Sequence, residues 1–221
     1  MTVPAVHVRS WPVPAALLGL AVIPLTAGTF RLIQLGGGPA LLPADPRFGA
    51  PLPVVLHIAA AAVFAIGGAF QMVPALRHHH LGWHRRAGRV TAGAGLLVAA
   101  SAVWMTLAFA RKPGTTGLLV GLRLTFGTAT ATCLVLGLAA IAHRNISAHR
   151  AWMLRGYALG LGAGTQVFTI GIGAAIAGHA RYANDISSGA AWLLNLAVAE
   201  WLIRRRHGKQ KTLARAPRVA A

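Results

Sequence analysis

Six long apolar runs, with most of the charged residues in the short breaks between them and at the two ends of the chain, constrain this chain more than any other feature. They lie near residues 13–35, 53–76, 89–110, 118–142, 151–178 and 187–203. Crossing the hydrocarbon of a bilayer takes about 20 apolar residues in a helix, because no water is present there to satisfy an open backbone. Soluble domains carry roughly a quarter charged residues spread over amphipathic faces. Here the share is 11%, against 56% hydrophobic. The sequence therefore predicts an all-α fold, a polytopic bundle of about six transmembrane helices.

The breaks have the chemistry of turns and interfaces: GGGPALLPADP from Gly36, RHHHLGWHRRAG from Arg77, RKPG from Arg111 and HRNISAHR from His143. Each is short enough to join its neighbours as an antiparallel hairpin. Under a six-helix reading, 15 of the 21 Lys and Arg fall on one side, among them Arg85, Arg89, Arg150, Arg155 and the tail. Arg31, Arg47, Arg111, Lys112, Arg123 and Arg181 fall on the other, with Asp45 and Asp185. The positive-inside rule then predicts both termini in the cytoplasm.

Three segments follow: an N-terminal segment 1–12, a transmembrane domain 13–203, and a basic tail 204–221 expected to lie disordered along the anionic leaflet. The charge-free run from Ser10 to Phe30 exceeds the roughly 7 to 15 apolar residues of a signal peptide, so a retained first helix is expected. In a soluble protein the net charge of +18 would point to nucleic acid. Beside apolar spans it points instead to the bilayer and its anionic phospholipids as partners, with no nucleic acid. Homo- or hetero-oligomers stay open. Cys133 is the single cysteine, which excludes a disulfide framework or a thiolate metal site.

Helices in lipid associate through close backbone approach and interhelical hydrogen bonds. In the fifth run Gly156, Gly160 and Gly164 recur every four residues, with Thr165, Gln166 and Thr169 close by. That pattern predicts a glycine groove and a central position for this helix. Thr125, Thr128 and Thr132 form a hydroxyl stripe on the fourth, expected to serve packing more than ligand binding.

Ionisable groups inside a span are costly and tend to mark function. His57 stands about four residues into the second run, with Arg123 at a similar depth in the fourth. A neutral histidine there can ligate haem iron, relay a proton or bond a neighbouring carbonyl. Haem b would call for a second ligand at matching depth, and His179 is the candidate. On the other side His84, Arg85 and Arg89 are echoed 65 residues later by His149 and Arg150, with Arg155 just beyond. Two such corners suit an anionic headgroup, a quinone oxygen or a haem propionate, because guanidinium forks match planar oxyanions. Ordinary positive-inside loops with interfacial Trp83 and Trp152 explain them equally well. The tract His78, His79, His80 and His84 has no acidic or thiol companion, so no metal site is expected. Glu200 is the one acidic residue expected inside a span, pairing with Arg155 or Arg204.

HRRAGRV from His84, HRAWMLRGYAL from His149 and LHIAAA around His57 resemble the paired signatures of the bacterial membrane family known as domain of unknown function 2306. The resemblance covers roughly helices two to five. Gln166 departs from it where an arginine is expected late in the fifth helix. It implies a multi-pass protein of the bacterial plasma membrane and implies no established activity.

Three functions compete. One is a membrane redox component binding haem or quinone through His57, His84 and His149, and another is a small-solute or proton-coupled transporter around His57, Arg123 and Gln166. The third is a non-catalytic partner subunit. The sequence contains no nucleophile elbow, P-loop or dinucleotide fingerprint.

Overall fold

In hydrocarbon every backbone amide has to find its partner within the chain, and the apolar runs do so as helices. The computed structural model describes residues 11–43, 51–109, 115–178 and 180–215, the side chains of residues 75, 77, 78 and 207–215 excepted. Arg9, Asp45, Arg47, Arg111, Lys112, His179 and the last part of the tail, 216–221, lie outside them.

The order is α1 (Pro12–Leu35), α2 (Leu52–Gln71), α3 (Pro74–His79), α4 (Leu81–Ala108), α5 (Gly117–Ala142), α6 (Ile146–Gly160), α7 (Gly162–Ala177) and α8 (Ala183–Arg215). Five of these helices are long and apolar enough to cross a membrane, and α6 with α7, bent by 47° at their break, passes the same test as a pair and counts as a sixth if the two form one span. No strand occurs among the described residues. The chain is all-α among the described residues, with five to six spans, as the sequence predicts.

Local chemistry sets several ends. Proline stands in the first positions of α1, α2 and α3, where its missing N–H leaves nothing unsatisfied. Thr116 caps α5 by accepting from the amide of Leu118 at 3.1 Å, and Asn145 caps α6 by accepting from Ala148 at 3.0 Å. Between those helices Arg144 adopts a left-handed φ of 57°, and the next amide, Asn145, reaches back to the carbonyl of Ala140 at 2.8 Å.

Four boundaries differ from the sequence reading. Pro74 cannot continue α2, and Val73 before it is extended, so the second run ends as the separate short helix α3. The segment from Leu81, read as a loop, is the start of α4, which puts His84 and Arg85 on a helix. The fifth run breaks at Leu161. The sixth begins at Ala183 and continues as helix to Arg215, through much of a tail expected to be disordered. Arg, Lys, Gln, Leu and Ala are good helix formers, and a helix already nucleated in the membrane extends through them at little cost.

α1 packs on α2 and α7, α2 on α4, α4 on α5, α5 on α6, and α8 on both α6 and α7. Phe64, Leu134, Tyr157 and Leu161 meet in the core. The hydroxyl of Tyr157 donates to the Ala65 carbonyl at 2.7 Å, and its ring stands edge-on to Phe64 with centroids 5.4 Å apart. Large apolar side chains such as Leu107, Ile172, Ile176 and Leu193 point outward. That would be a liability in water, and it is the surface hydrocarbon requires.

The glycines of the fifth span do what their spacing predicts. A methyl group on Gly156 would press on Leu134 and Cys133 of α5, on Gly160 into Phe64 of α2, and on Gly164 into the backbone of Leu20 in α1. One small-residue ridge therefore receives three helices at close range.

Candidate functional site

His57 is half-buried on α2 and faces α4, where its Nδ1 lies 3.0 Å from the hydroxyl of Ser101. Ser101 is buried and donates its one proton to its own helix, with the Leu97 carbonyl at 2.6 Å and that of Val98 at 3.1 Å. The hydroxyl is thus an acceptor toward the ring, so Nδ1 carries the imidazole proton. Nε2 keeps its lone pair. This is the arrangement in which histidine ligates a metal, the other ring nitrogen being fixed by a donated hydrogen bond.

His149 has the same polarity at the opposite end of the bundle. Its Nδ1 lies 2.8 Å from the carbonyl of Gly137 in α5, an acceptor only, so the proton is again on Nδ1. Arg155, one and a half turns further along α6, is committed to α8: its Nε lies 2.5 Å from Glu200 Oε1 and an Nη 3.1 Å from Oε2. The guanidinium also lies over Trp152, 4.6 Å from the ring centroid. Of the two partners the sequence offered for Glu200, Arg155 is the one engaged.

His149 faces α5 and Arg155 faces α8, while Arg85, Arg89 and Arg150 are exposed. His84 is half-buried on α4. Arg123, expected beside His57 in depth, is exposed on α5. Thr125, Thr128 and Thr132 are exposed too, and Thr128 bonds the carbonyl of Leu124 in its own helix at 2.7 Å. That stripe lines no space inside the described bundle. Among the described residues no three His, Cys, Asp or Glu side chains gather closely enough to hold a metal ion.

Sequence reading missed a polar seam along α8. Asp185 is buried in the first turn of α8, where it accepts from the hydroxyl of Thr116, the N-cap of α5. Placing the start of the span at 187 left this carboxylate in a loop. Near the middle, Thr165 donates to Asn195 Oδ1 at 2.8 Å, and Asn195 Nδ2 donates to the Ala158 carbonyl at 3.0 Å. Gln166 points to the Ser188 carbonyl at 3.5 Å. Trp192 stacks on Phe126, centroids 4.9 Å apart, and lies so close over Gly162 that no side chain fits there. A cavity of about 690 Å³ opens beside Thr116, Arg181 and Tyr182, at the end away from the histidine-arginine corners.

No curated protein and no solved structure matches the chain. A family model does match, over residues 54–203, from the first turns of α2 to the point where the sixth apolar run ends. The chain belongs to the family described as predicted membrane protein, domain of unknown function 2306.

Proposed function

We propose that the protein is a membrane redox component that carries haem b on His57, with the arginines of the His84 and His149 corners, at the opposite end of the bundle, as a separate site for a quinone oxygen. The fixed tautomer of His57 supports this reading. A quinone carbonyl needs a ring N–H to bond, whereas haem iron needs a lone pair, and Ser101 leaves the lone pair on Nε2. His149 repeats the polarity with the Gly137 carbonyl. His57 would hold such a haem through Nε2, and the group would supply one-electron transfer.

The visible spectrum of the full chain, purified from cells supplied with haem, tests the reading. A Soret band is expected in the wild type, retained in His79→Ala and lost in a folded His57→Ala variant. A folded, colourless wild type overturns it.

The break at Leu161 favours a second reading, a small-solute transporter. Secondary transporters build their sites at discontinuous spans, and here Thr165, Gln166 and Asn195 cluster at such a break. Solute flux in proteoliposomes that disappears in Asn195→Leu would support it.

A further inference from the structure

The end of the bundle where α4 and α6 begin and α8 leaves the span has an imbalance that the protein does not correct. Arg85 and Arg89 on α4, Arg150 on α6, and Arg204, Arg205 and Arg206 on α8 are all exposed. The carboxylate described at this end is Glu200, and Arg155 holds both of its oxygens. The countercharge for the exposed guanidinium groups has to come from outside the described bundle.

The setting identifies its source. Trp83 near the start of α4 and Trp201 on α8, three residues before Arg204, are exposed, as aromatic side chains are where hydrocarbon meets headgroups. Arg205 folds back over Trp201, 5.1 Å from the ring centroid, so its charge stays at the edge of the apolar belt. α8 does not stop there. It continues as helix through Arg204 to Arg206, which keeps the three side chains together at the end of the span where a disordered tail would have let them disperse into water.

We infer that this end is a binding surface for the phosphate headgroups of anionic phospholipids, centred on the inner end of α8 with Arg150 of the adjoining α6. Guanidinium forks take phosphate oxygens two at a time, and the exposed tryptophans supply the apolar floor beside them. The surface shares Arg150 with the His149 corner and lies apart from His57 and Asn195. It is also separate from the Arg155–Glu200 pair, which is internal.

Spin-labelled lipids in bilayers containing the full chain test the inference. Labelled phosphatidylglycerol is expected to be immobilised at the protein with an association constant about fivefold or more above that of labelled phosphatidylcholine, the factor matching one basic residue's share of attraction. The preference should fall toward one in 1 M KCl, because about 3 Å of screening length remains there. It should also fall in the combined variant Arg204→Gln, Arg205→Gln, Arg206→Gln, while Arg181→Gln at the other end leaves it unchanged. Should the triple variant fail to fold, the salt titration of the wild type decides. Equal immobilisation of the two lipids at low salt overturns the inference and leaves the surface to an acidic protein partner.

Discussion

Asn195 of α8 donates a hydrogen bond to the carbonyl of Ala158, 3.0 Å away, in the last turn before the fifth span breaks. Its carbonyl oxygen accepts from Thr165, in the first turn after the break. One side chain therefore bridges both halves of a bent helix, supplying a donor from a neighbouring helix at the point where regular pairing is interrupted. Removing it as Asn195→Ala should destabilise the protein by about 1 kcal/mol, the scale of interhelical hydrogen bonds in membranes. Thermal unfolding in detergent measures this. A double-mutant cycle with Thr165→Ala should show coupling, and full additivity would mean that the two residues act separately.

Two glycines of the same span should respond oppositely. A side chain on Gly164 would run into the backbone of Leu20, which cannot swing aside as a side-chain tip can. Gly164→Ala is expected to cost about 1 to 3 kcal/mol by forcing α1 and α7 apart. Gly171 faces open space, so Gly171→Ala should be neutral or stabilising by up to about 1 kcal/mol through helix propensity. The difference in melting temperature between the two variants is the readout.

The Arg155–Glu200 pair is partly screened, with side chains 22% and 30% exposed. Its contribution should lie between the near-zero worth of a surface pair and that of a sealed one, at about 1 to 2 kcal/mol. Arg155→Lys keeps the charge but loses the two-pronged contact and the flat stacking on Trp152. It is expected to recover only part of the loss seen in Arg155→Ala. Full recovery by lysine would show that charge alone matters.

Ser101 sets the tautomer of His57, so its removal should reach any haem held there. Ser101→Ala is expected to keep the Soret band but weaken haem retention by about 10- to 100-fold, as loss of an orienting partner does. Haem transfer to apomyoglobin gives the rate. An unchanged rate would separate Ser101 from the site.

The spans were legible because a bilayer demands about 20 apolar residues per crossing, and few other folds do. The glycine ridge was legible because Gly156, Gly160 and Gly164 recur on one face. Glu200 was singled out through scarcity, since it is the one acid within an apolar run, and Arg155 and Arg204 were the cations the sequence placed near it. What the sequence concealed depends on distant neighbours. No proline marks the break at Leu161. Trp192 over Gly162 and Asn195 on Ala158 accompany it, and both come from α8. Asp185 escaped notice because a four-residue error in a helix start moves a carboxylate from a span to a loop, and its bond to Thr116 joins residues 69 apart. The His-Arg corners were legible as a repeat, but the partners of the second, Gly137 of α5 for His149 and Glu200 of α8 for Arg155, are set by helices packed against it and not by the repeat.

The ridge of three glycines has a further effect on which changes the protein tolerates. Since α5, α2 and α1 each rest on a different one, the bent span is the axle on which three spokes are mounted. Bulky substitutions on the outward faces of the spokes stay local, whereas one added carbon at the axle presses on a neighbouring helix, hardest at Gly164, where it meets backbone. Sequence drift should accordingly concentrate at the rim.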